Sequence, residues 1–133
     1  MQYAITKLSP KFPLSGEQIE KLTNEEIETF ELFTSRFAKL QDFMGAKLYP
    51  LFLKISEEDP ETMTFIDQLN KLEKLGIIDS AEEWKLMRNS RNHLSHEYPD
   101  HPELMAINLN TAYALVPKLI NYLTKIIAVC EKI

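Results

Sequence analysis

The stretch "EEIETFELFTSRFAKLQDFMGAKL", residues 25–48, decides the fold class of this chain. Its apolar residues Ile27, Phe30, Phe33, Phe37, Leu40, Met44 and Leu48 recur at spacings of three and four. That period matches the turn of an α-helix, so the stretch reads as a long amphipathic helix with one face turned to a core. A stripe of this kind fits core packing better than a cofactor-stacking role for its phenylalanines. Two start signals precede it. Ser15-x-x-Gln18 and Thr23-x-x-Glu26 both fit a capping box, in which the side chains of the two ends satisfy each other's free backbone N–H groups. Gly45 and Pro50 are expected to kink or divide the helix, because proline removes a backbone donor and clashes with the preceding turn.

Working outward, residues 1–14 carry Pro10 and Pro13 and read as an extended N-terminal arm, with Tyr3–Thr6 as the most strand-like piece. After residue 50, Asp59 is expected to cap a second helix with Pro60 at its first position. That helix carries Met63, Ile66, Leu69 and Leu72 and ends at Gly76, a natural C-cap. Ser80-x-x-Glu83 forms a third capping-box pattern and opens a helix over about 81–96, which "YPDHPE" terminates. A fourth helix follows over about 102–131. Between Glu103 and Glu131 it holds no acid and, as cations, only Lys118 and Lys125, so it is expected to be buried on more than one side, with a kink at Pro117. The reading is all-α: a four-helix up-and-down bundle over residues 15–133 as a single domain, preceded by the arm.

Composition narrows the function classes. The chain has 133 residues, enough to bury a core without a disulfide or metal, and its formal net charge is −5. That balance disfavours non-specific coating of nucleic acid, which needs clustered cations, but allows a small cationic site. With 3 glycines, neither G-x-G-x-x-G nor a P-loop can be written. The single cysteine, Cys130, lies in an apolar run and reads as a packing residue. No secretion signal and no apolar run of membrane-spanning length is evident, so a cytoplasmic protein that does not engage a membrane is expected.

The chemistry concentrates in "WKLMRNSRNHLSHEY", residues 84–98. Lys85, Arg88, Arg91, His93 and His96 form a local positive run without an acid from 85 to 96. On an ideal helix Trp84, Arg88, Arg91 and Ser95 fall within about 60° of one another, with Asn92 about 40° from Arg88, making a polar edge. Arg91 and His96 are about 140° apart, too far for one intact helix to aim both at one atom. They converge if the helix loosens at its end or if a second copy packs across a two-fold axis. Arginine and histidine together suit phosphodiester chemistry. The guanidinium forks onto phosphate at any relevant pH, and imidazole exchanges protons near neutrality.

Arg91, His96 and Tyr98 spell R-x4-H-x-Y, with Asn92 directly after the arginine. This resembles the signature of HEPN domains and, among them, the HepT-like toxins. "SRFAKLQDFMG", residues 35–45, is also similar to one HepT-like branch. The resemblance spans roughly residues 20–125. It implies a homodimeric endoribonuclease that needs no metal or cofactor, with two motifs facing each other. It also implies a partner, a minimal nucleotidyltransferase antitoxin of the MNT class that can transfer AMP to the motif tyrosine. Carried over, Arg91 holds the scissile phosphate, His96 is the general acid/base, Asn92 orients the site, and Tyr98 is both a contact and the AMPylation target. Arg88 and Ser95 support the site, and His93 occupies no fixed motif position. The chain lacks the G-S…D-x-D pattern of the transferase itself.

Other readings are weaker. A metal site from His93, His96 and His101 with Glu97 or Asp100 has no firm ligand spacing. A nucleophile at Ser90 or Ser95 has no elbow motif. Trp84 reads as an anchor between helices rather than a base-stacking platform. The leading alternative to a nuclease is a non-catalytic helical partner of a nucleotidyltransferase.

Overall fold

A computed structural model describes residues 2–56, 58–94 and 101–132. Of the described residues 84% are helical and none lies in a strand. In order, the α-helices are α1 (Gln2–Leu8), α2 (Gly16–Glu20), α3 (Asn24–Phe43), α4 (Tyr49–Ile55), α5 (Phe65–Lys74), α6 (Ala81–Leu94) and α7 (Pro102–Glu131). The expectation of an all-α protein therefore holds. The chain resolves into two compact units, one of residues 1–39 and 89–116, the other of 40–88 and 117–133, so α3, α6 and α7 each contribute to both.

In the first unit the N-terminal segment departs from the extended arm expected of it. Gln2–Leu8 is helical, with Ala4 and Leu8 buried one turn apart. So short a helix is not stable alone; burial of that pair and ion pairs from Lys7 to Glu25 and Lys11 to Glu26 hold it. Phe12 stacks on Tyr113, centroids 4.0 Å apart, and meets Phe30 and Phe33 edge-on. The Asn110 amide then clamps one residue of backbone: its Oδ1 accepts the Leu14 N–H at 2.8 Å and its Nδ2 donates to the Leu14 carbonyl at 2.9 Å. Both expected capping boxes form, at Ser15/Gln18 and Thr23/Glu26. Phe30, Phe33 and Phe37 are buried as the stripe requires, whereas Ile27, in the first turn of α3, is 40% exposed.

In the second unit the expected break at Gly45 and Pro50 takes another form. Residues Met44–Leu48 wind as a π-helix between α3 and α4, and the Tyr49 N–H bonds back five residues to the Met44 carbonyl. Pro50 has no N–H for the carbonyl four residues before it, and one widened turn absorbs the mismatch without ending the helix. Beyond it, Asp59 makes no side-chain cap: Pro60–Thr62 is a single 3-10 turn and Met63 is extended. The cap of α5 is Thr64, whose hydroxyl accepts the Asp67 N–H at 3.1 Å. The extended Met63 leaves Thr64, not Asp59, beside the free amides. Gly76 ends the segment at φ +76°, the left-handed conformation glycine adopts without strain.

Helix α6 starts with half a capping box. The Ser80 hydroxyl accepts the Glu83 N–H, and the Glu73 carboxylate accepts the Ala81 N–H. The Glu83 carboxylate does not turn back; it accepts the hydroxyl proton of the buried Tyr122, with Lys118 close by.

Helix α7 corrects a second expectation. It buries one stripe, Ala106, Leu109, Ala112, Val116, Leu119, Tyr122 and Ile126, not several sides. Leu104, Ile107 and Ile127 are each at least 40% exposed. The low charge of α7 thus reflects an apolar outer face, not all-round burial. Pro117 lies inside the helix at an exposed position. By length and composition alone α7 could cross a bilayer, although its apolar residues are interrupted by polar ones. A core helix of a soluble protein has the same properties, and the buried stripe with its Tyr122–Glu83 bond is a packing face.

Candidate functional site

Helix α6 positions the described part of the candidate site. Its buried line is Ala81, Trp84, Met87 and Ser90, three residues apart, with Leu94 half-buried beyond. Trp84 is fully buried against Tyr49, centroids 4.7 Å apart, so it is the anchor expected of it. It is therefore not part of a solvent-facing polar edge with Arg88 and Arg91, and that grouping is corrected: an arc wide enough to hold all three already includes core positions. The indole Nε1 of Trp84, the hydroxyl of Tyr49 and the hydroxyl of Ser90 are buried without a hydrogen-bond partner. Burial pushes the Tyr49 phenol well above its ordinary range, and the neighbouring Tyr122 adds to the effect. Burial and the bond to Glu83 likewise raise Tyr122.

The polar residues then divide. Arg88 is exposed, and its guanidinium lies over the Phe65 ring, 4.7 Å from the centroid. Asn89, Asn92 and His93 are exposed, while Arg91 is half-buried. Arg91 and Asn92 each have an interaction partner, so neither is a loose surface side chain. Ser90 is buried, with 4% of its surface exposed, which removes it as an accessible nucleophile. Ser95, His96 and Tyr98, with Glu97 and Asp100 of the alternative metal set, lie outside the described residues. His101 is exposed at the start of α7.

No protein-family profile, curated protein or solved structure matches this chain. The reading of its function therefore rests on its own residues.

Sequence reasoning overlooked the surroundings of Arg88. A groove of about 510 Å³ in the second unit is lined by Gln41, Asp42, Gly45, Ala46, Phe65 and Arg88. Gln41, Asp42 and Gly45 stand in the string "SRFAKLQDFMG", but none carried a role there. The available signal was Gly45 followed by Pro50 inside a helical pattern, since proline-linked π segments recur at functional sites.

Proposed function

We propose that this chain is a HEPN-like toxin, a metal-independent endoribonuclease of a HEPN/MNT toxin–antitoxin pair, folded as a four-helix bundle and acting as a cytoplasmic homodimer. The observation that carries the reading is Arg91. It opens the R-N-x3-H-x-Y string, and it is withdrawn from solvent where Arg88, Asn89, Asn92 and His93 are exposed.

In this reading Arg91 holds the scissile phosphate through two parallel N–H donors and offsets the charge that develops as the phosphorane forms. One His96 takes the proton of the ribose 2′-hydroxyl, and the 2′-oxygen attacks phosphorus. The bond to the 5′-oxygen breaks, and a histidinium returns the proton to that leaving oxygen, leaving a 2′,3′-cyclic phosphate. The five-residue spacing of Arg91 and His96, about 140° on an ideal helix, supports a dimer in which each copy completes the other's site. Light scattering showing a strict monomer at micromolar concentration would count against it.

The test is purified protein incubated with single-stranded RNA in excess EDTA. Cleavage lost on His96→Ala, and blocked by a 2′-deoxy substitution at the cut site, supports the reading; an unimpaired His96→Ala sinks it. The antitoxin arm is tested with ATP, Mg²⁺ and the transferase encoded beside this chain. An AMP adduct on Tyr98, with cleavage lost and circular dichroism unchanged, is expected, because the added phosphate would occupy the arginines that hold RNA. Full ATP-dependent inhibition of Tyr98→Phe would move neutralisation to another residue.

A further inference from the structure

The groove beside the π turn carries an inference that does not depend on RNA cleavage. It is built from one continuous helical segment and two facing side chains, all within the second unit. Gly45 and Ala46 give its wall no bulk. Phe65 and Arg88 face them, with the guanidinium parked on the aromatic ring. The contact keeps the guanidinium beside the groove, where its planar set of N–H donors suits a ligand with two adjacent acceptors. Gln41 is buried to 4% exposure yet borders the groove. Asp42 is exposed at the rim; it has a partner of its own, but a carboxylate offers about four acceptor positions and can take a further donor. Behind Gly45 lies Trp84: a methyl added at the glycine would sit 3.5 Å from its Cζ2 and 4.0 Å from its partnerless Nε1.

A π turn costs hydrogen-bond geometry, and such turns recur where a helix presents a site. Here the turn sets small residues opposite a planar cation, with a carboxylate and an amide at the edge. The complementary ligand is flat, has two adjacent acceptors for the guanidinium fork, and has donors for the carboxylate. Of the two purines guanine has that pattern: O6 and N7 accept from arginine, and N1–H and N2–H donate to a carboxylate. Adenine presents a donor at N6, where the fork also donates. We infer that this groove binds one guanine base, either of a free nucleotide or of a single-stranded RNA.

Trp84 is the single tryptophan, so its indole N–H gives one resonance, and it reports on the groove wall. The experiment titrates the ¹⁵N-labelled full chain with GMP, AMP, an all-uridine RNA hexamer and the same hexamer carrying one guanosine. Saturable shifts of the Trp84 indole and Gly45 amide are expected with guanine ligands, about tenfold tighter than with their guanine-free counterparts. GMP binding as tightly as the guanosine hexamer identifies the free nucleotide as the ligand; binding of the hexamer alone identifies RNA. Arg88→Lys removes the fork, and Ala46→Leu fills the groove at an exposed helical position. Each should weaken binding about tenfold or more while the rest of the spectrum stays native. The inference is overturned by no saturable shift at millimolar ligand, by equal shifts with GMP and AMP, or by wild-type binding in both variants.

Discussion

The two halves of α6 are one helix with two characters. From Ala81 to Met87 it is architecture: Trp84 is sealed against Tyr49, and Glu83 receives the Tyr122 hydroxyl. From Arg88 to Leu94 it is mostly exposed and polar, with Arg91 drawn partly inward. The first half is fixed by buried aromatic packing, and the second carries most of the exposed polar side chains of the helix. The buried line begun by Ala81, Trp84 and Met87 continues through Ser90, with Leu94 half-buried, so the polar half keeps a packed side of its own.

Substitutions should separate the two halves. The largest effect is expected in the polar half and just beyond it. Under the proposed mechanism, His96→Ala should lower RNA cleavage ~10²–10⁴-fold and relieve growth inhibition, with Arg91→Ala acting in the same direction. Thermal unfolding should remain near wild type in both. A cleavage-dead His96→Ala that also melts early would erase the distinction.

In the architectural half Trp84→Ala should cost about 3–5 kcal/mol in denaturant unfolding, the usual loss for a large buried aromatic side chain. A cost below about 1 kcal/mol would mean that the anchor is elsewhere.

The two tyrosines around Trp84 should then separate. Tyr122→Phe removes a hydrogen bond to a carboxylate and should destabilise by about 1.5–3 kcal/mol. Tyr49→Phe deletes a buried hydroxyl that has no partner and should be neutral or stabilising by up to about 1 kcal/mol. Both phenols are raised in the folded state, so the stability they carry is complete below the ordinary tyrosine pKa of about 10 and falls as pH rises above it. Unfolding followed upward from pH about 10 should steepen in wild type and flatten in the Tyr49→Phe, Tyr122→Phe double variant.

The smallest effect lies far from α6, at the first turn of α3. The Lys11 ammonium, followed by the Thr23 backbone N–H, lowers the Glu26 carboxyl to about 2. A lowered folded value means that the stability is present above the ordinary carboxylate range near 4.5 and is lost as pH falls toward about 2. Acid unfolding of Glu26→Gln should therefore be shallower than wild type across that window. Identical profiles would show that this exposed pair contributes nothing.

The helical period of residues 27–48, the capping boxes at Ser15 and Thr23 and the glycine stop at Gly76 are local signals, written in adjacent side chains, and the sequence alone determined them. The R-x4-H-x-Y string is also local, and the proposal of a nuclease rests on it. Tertiary structure decided what local rules leave open. A helix at 2–8 has no strong local signal and exists because Ala4 and Leu8 find a core. Asn110 reads as one polar residue in an apolar helix until Leu14, 96 positions away, turns out to be its partner. Trp84 and Arg91 share an arc on a helical wheel, and packing alone sealed one and left the other half open. Gly45 and Pro50 announced a disturbance. Only the three-dimensional fold made it a widened turn with Phe65 and Arg88 across from it, because which distant side chains meet is set by burial of the whole chain, not by neighbours in sequence.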